Sequence, residues 1–166
     1  MIRAMDKVDT IIKQWNQEKP ELDVSSMAII GRFKRISQHL GSEMGKTFAA
    51  HDLSPAGFDM LATLRRSGPS YALSPNELLD TMMVTSGTMT NRIDQLCKAG
   101  LVERLKNPED GRGFIISLTQ GGFKKIDAAI IDHVATQDRI MSGLSAKDRK
   151  VLNSLLSSFL TSFEGE

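Results

Sequence analysis

Cysteine is almost missing from this 166-residue chain, with Cys97 standing alone. No internal disulfide can form, and the composition suits a reducing compartment. Long apolar runs are missing too. None approaches the ~18 residues a membrane span needs, and Met1 to Asp6 carries no apolar leader core, so the expectation is a cytoplasmic protein without a membrane partner. Excess charge of either sign is absent, because 21 Lys and Arg face 20 Asp and Glu for a net +1. That excludes a uniformly basic nucleic-acid coat and leaves any such binding to local placement of charge. Internal repeats and low-complexity tracts do not occur. A glycine-rich phosphate loop, a nucleophile elbow and paired carboxylates are also missing, so the chain offers no constellation for an enzyme. His39, His51 and His133 have no ligand-like spacing with Cys or carboxylates, which argues against a metal or other cofactor.

What is present is helical periodicity at both ends. Val8, Ile11, Ile12 and Trp15 form one apolar stripe of a short helix that Lys19-Pro20 breaks. Ile29, Phe33, Ile36, Leu40, Met44 and Phe48 predict a long helix from about Ser25 to Ala50. Ser54-Pro55 opens a third helix, which stops at Ser67-Gly68-Pro69. Tyr71-Ala72-Leu73 is long enough only for a strand stub. The capping box Ser74-Pro75-Asn76-Glu77 starts a helix over Pro75–Met82. The next helix is expected over Thr88–Ala99, closed by Gly100.

At Leu101 the period changes. Leu101–Lys106 and Phe114–Leu118 are β-prone, and the polar segment Asn107 to Gly113 separates them as a hairpin tip. Thr119 caps a helix to about Met141, and Ser145-x-x-Asp148 caps the last one. The expected fold class is mainly α with a small β-hairpin (α+β), a winged helix-turn-helix between terminal helices. A generic α+β domain is the alternative. Three segments follow: 1–50 with an extra helix and a dimerisation helix, 51–118 as the winged core, and 119–166 with further dimerisation helices.

The helix Thr88–Ala99 sets Met89, Ile93 and Leu96 on one face and Thr88, Thr90, Asn91 and Gln95 on the other. Short hydroxyl and amide side chains near a helix N-terminus reach base edges and phosphates in a major groove, and Ser86 just ahead of them joins the set. An ordinary solvated face is the competing explanation. Arg112 stands between two glycines at the hairpin tip, where a guanidinium extends into a minor groove, and Asp110 is placed to orient it. A plain Asp-Gly turn has the same composition. The stripe Leu152, Leu155, Leu156, Phe159, Leu160 and Phe163 follows a completed core, so it marks an interface.

The runs Thr85 to Asp94, Gly100 to Arg104, Asn107 to Gly113 and Leu118 to Gly122 together resemble the MarR family of bacterial winged-helix transcriptional regulators. The match is strongest over residues 54–122. The resemblance implies a homodimer on a pseudo-palindromic double-stranded operator, with one recognition helix and one wing per protomer. It places Thr90, Asn91 and Gln95 toward DNA and makes Asp110 and Arg112 the wing pair. Many relatives carry arginine where Gln95 stands.

A narrower resemblance concerns an effector. Trp15 with Asp59, Arg66, Arg92 and Arg104 is similar to the urate-responsive branch of the family, which implies a repressor released from DNA by a small planar anion such as urate or a related purine. An acid and several arginines around a tryptophan suit the edges and face of such a ring. A structural Asp59–Arg66 pair and a Trp15 that staples the extra helix remain open. Two further alternatives are a regulator of another aromatic acid and an oxidant sensor acting through the Cys97 thiol.

Overall fold

The structure is a computed structural model and describes residues 5–82, 86–107 and 113–165. Along them run α1 (Lys7–Glu18), α2 (Ser25–Ala50), α3 (Pro55–Arg66), β1 (Ala72–Leu73), α4 (Pro75–Met82), α5 (Ser86–Lys98), β2 (Val102–Lys106), β3 (Phe114–Leu118), α6 (Gln120–Met141) and α7 (Ala146–Glu164). The chain divides into two compact units, Met1–Glu43 and Met44–Glu166, with the boundary inside α2.

In the first unit, α1 is fixed to the N-terminal half of α2. The Asp6 carboxylate accepts from the backbone N–H groups of Val8 at 2.8 Å and Asp9 at 3.1 Å, while the Asp9 carboxylate accepts from the Asp6 N–H at 2.9 Å. This capping box satisfies donors that a helix start leaves free. Arg32 on α2 donates to both carboxylates, at 2.9 Å from Nε to Asp6. Val8 is buried, and a Cβ added to Gly31 would meet it at 3.3 Å. Glycine at that position lets the two helices approach closely.

The second unit holds the main core. Met60, Leu61 and Leu64 from α3 meet Leu78 from α4, Met89 and Ile93 from α5, Ile116 from β3 and Ile126 from α6, all essentially inaccessible to solvent. Burying each such side chain contributes roughly 2 kcal/mol. The helix-period apolar positions of three short helices therefore converge on the two-residue period of the strands.

Two details differ from the sequence reading. The stub β1 pairs with β3 at Ala72↔Ser117 and Leu73↔Ile116, so the described hairpin base is a three-stranded antiparallel sheet of order β1-β3-β2. The stub is too short to announce a partner, and register across a sheet is a tertiary property. In addition, α5 begins at Ser86, two residues before the expected Thr88.

The turn between α5 and β2 is locked to the start of α6. Gly100 sits at φ 68°, as a left-handed helix end requires. The Thr119 hydroxyl donates to the Gly100 carbonyl at 2.7 Å and accepts from the Gly122 N–H at 3.0 Å. The helix α7 has no buried residue at all; Leu155, Leu160 and Phe163 are 65%, 55% and 73% exposed.

Candidate functional site

The helix α5 turns Met89, Ile93 and Leu96 into the core. That orientation leaves Thr88, Thr90, Asn91 and Gln95 exposed. Helical geometry forces this, because residues three and four apart share a face. Ser86 belongs to the first turn of α5. Asp110 and Arg112 lie outside the described residues.

Arg104 ties the hairpin to this helix. It stands on β2 opposite Ile116, and its guanidinium hydrogen-bonds the Asp94 carboxylate on α5. The same guanidinium lies 5.5 Å from the Phe114 ring centre on β3. The Asp94 hydrogen bond raises the Arg104 pKa above its ordinary value. Arg104 is therefore a link between the exposed helix and the hairpin.

Behind α5 lies an open cleft of about 660 Å³ lined by Phe48, Ser54, Pro55, Ala56, Phe58, Asp59, Arg92 and His133. Its aromatic members stack. The Phe48 and Phe58 ring centres are 4.3 Å apart, and the His133 ring lies 4.7 Å from Phe58 and 5.4 Å from Phe48. Burial pushes the His133 pKa down from its ordinary value, so the neutral ring is favoured. Its Nε2 is 3.0 Å from the Gln137 amide, while its buried Nδ1 has no hydrogen-bond partner among the described residues. Asp59 and Arg92 both face the cleft, and neither forms an ion pair among the described residues. An acid, a guanidinium and an aromatic floor meet there.

Of the other residues expected at an effector site, Arg66 and Arg104 stand elsewhere in the second unit. Arg66 lines a different depression, with Ala62, Arg65, Ile126 and Ile130. Arg104 is engaged by Asp94. Trp15 lies on α1 in the first unit, 42% exposed. Asp59 and Arg66 form no ion pair, although they share α3. Cys97 is half-buried and packs against the core. Phe48, Phe58 and His133 escaped the sequence reading. Phe48 and Phe58 sit at ordinary core positions of α2 and α3, and only the fold brings a histidine from α6 onto them.

Comparison with known proteins accords with this arrangement. The sequence profile of the MarR family matches residues 51–113. The chain is 37% identical over 150 residues to the HTH-type transcriptional regulator PecS of Dickeya dadantii, covering 90% of each chain. It is 38% identical over 71 residues to the multiple antibiotic resistance protein MarR of Escherichia coli, covering 43% of this chain and 47% of that one. Among solved structures it is similar to a MarR mutant from E. coli complexed with operator DNA, at a TM-score of 0.70 and 26% identity over 88% of this chain and 97% of that one. A MarR family transcriptional regulator from Streptomyces coelicolor matches at a TM-score of 0.74 and 25% identity, over 86% of this chain and 98% of that one. The chain belongs to the MarR family of winged-helix, DNA-binding transcriptional regulators.

Proposed function

We propose that this regulator is a cytoplasmic homodimeric repressor that grips a pseudo-palindromic operator and lets go when a small planar anion binds. In this reading α5 enters the major groove through Ser86, Thr88, Thr90, Asn91 and Gln95, and Asp110 and Arg112 serve the neighbouring minor groove. Dimerisation rests on residues 1–50 and 119–166, whose exposed apolar side chains include Ile29, Ile36, Leu155 and Leu160. An apolar helix face of that length needs a partner. Half-sites then lie about 10 base pairs apart, centre to centre.

The observation that carries the effector reading is that Asp59 and Arg92 line one cleft with the Phe48–Phe58–His133 stack. A flat anion such as urate stacks on the rings, meets Arg92 with its charge and offers ring N–H donors to Asp59. Arg92 sits on the DNA-reading helix itself, so a ligand pulling on it biases the placement of α5. The switch is a population shift toward a dimer with displaced reading helices, and a full swing needs about 5.5 kcal/mol of differential affinity.

The test is a gel shift on the DNA flanking the protein's own gene, titrated separately with urate, xanthine and salicylate. Release by urate or xanthine, with loss of the response in Asp59→Asn and Arg92→Gln, supports the reading. Release by salicylate alone replaces the purine with another aromatic acid. Retention of DNA under all three refutes the effector site and leaves DNA binding intact.

A further inference from the structure

The outward face of α5 has an unusual chemical content. Between Ser86 and Gln95 its only cation is Arg92, and Arg92 is turned into the cleft beside Asp59. The only anion there, Asp94, is held by Arg104. The fully exposed side chains from Thr88 to Gln95 are uncharged, while Arg92 and Asp94 are half-buried, and two carboxamides stand out. Asn91 and Gln95 are both exposed, and neither side-chain amide has a hydrogen-bond partner among the described residues. Four residues apart on one helix, they lie on the same face, about 6 Å apart along its axis.

We propose that Asn91 and Gln95 are the specificity-determining side chains and that both read adenine. A carboxamide matches adenine in the major groove, its NH2 donating to N7 and its carbonyl oxygen accepting from the N6 amino group. Guanine presents two acceptors there, O6 and N7, which call for the paired donors of an arginine or lysine fork. The one guanidinium in the middle of this helix, on Arg92, lines the cleft beside Asp59. The 6 Å separation corresponds to about two base steps at 3.4 Å each. Each half-site therefore carries two A·T pairs no more than two steps apart, read by Asn91 nearer the helix start and by Gln95 one turn further on. This deepens the proposed function and rests on α5 being the groove-reading helix.

Selection of bound duplexes from a random library, using the full-length wild-type chain and the variants Gln95→Arg and Asn91→Ala, tests it. Gln95 and Asn91 are exposed, and circular dichroism checks that each variant is folded. The expected wild-type result is an inverted repeat with two A·T pairs at that spacing in each half-site. Gln95→Arg should convert one of them to G·C and leave the rest of the repeat unchanged. Asn91→Ala should lose the preference at the other, with discrimination there falling about 10-fold or more. An inverted repeat with G·C at both positions, or one whose bases are indifferent to Gln95→Arg, overturns adenine reading while sustaining groove reading. If the wild type enriches no inverted repeat even in dilute salt, groove reading by α5 falls, and adenine reading with it.

Discussion

A Cβ on Gly122 would stand 2.0 Å from the carbonyl oxygen of Leu101. The first turn of α6 therefore lies directly against the turn that joins the exposed helix α5 to the hairpin. The Thr119 hydroxyl bridges the same two segments, to the Gly100 carbonyl and the Gly122 N–H. The nearest obstacle to a Cβ at this junction is backbone, which cannot swing aside as a side chain can.

Gly122→Ala should accordingly destabilise the protein by about 3 kcal/mol, the upper part of the range for overpacking, since the obstacle is backbone. Urea unfolding of the variant and wild type measures this. Gly87→Ala is the control, because an added Cβ there meets nothing within 4 Å among the described residues. Equal midpoints for the Gly122 variant and wild type would show that the junction is pliable.

Arg104→Ala separates stability from function. Its pair with Asp94 is well exposed on both sides, and such pairs contribute about 0–1 kcal/mol. Thermal unfolding should barely change. DNA affinity should drop about 10-fold, because the hairpin loses its side-chain tie to Asp94 on α5 and the two groove-binding parts are then less tightly held. Fluorescence anisotropy on a duplex fragment reads the affinity, and Arg104→Lys should recover little of it, since a lysine lacks the guanidinium fork. A stable variant with unchanged affinity would remove Arg104 as a coupling residue.

The elements were legible because local rules and global packing agree. The capping signals at Ser54, Ser74, Thr119 and Ser145 each mark a helix start in the structure. The stripe Met89, Ile93, Leu96 faces the core, so the polar face of α5 could be read from spacing alone. What stayed hidden depends on contacts between distant segments. The partner of β1 lies more than forty residues downstream. The Phe48–Phe58–His133 stack joins three helices. Asp59 and Arg66 share a helix by spacing, yet they line different depressions, because two turns along α3 carry a side chain past a different neighbour.

The exposed stripe of α7 predicts an assembly defect. Leu155→Asp puts a charge at a position 65% exposed in the single chain, so the fold of the second unit should survive. Sedimentation should show the wild type as a dimer and the variant shifted to monomer at micromolar concentration. DNA binding should fall with it, because two half-sites are then engaged independently. A dimeric Leu155→Asp variant would place the self-association surface elsewhere.

Acidification should weaken the native state through His133. Its folded pKa lies below the ordinary value of 6.5 because burial disfavours the charged ring. Above pH 6.5 the ring is neutral in both states, and its contribution to stability is fully present. As pH falls below 6.5 the unfolded chain takes up a proton that the native state resists, so stability drops until the folded pKa is passed. Replacing the ring by phenyl in His133→Phe keeps the stack on Phe48 and Phe58 and removes the proton. Melting temperatures at pH 7.5, 6.5 and 5.5 should fall more steeply for wild type than for the variant. Parallel slopes would show that a proton reaches the His133 ring at no cost, and that the aromatic stack is open to water.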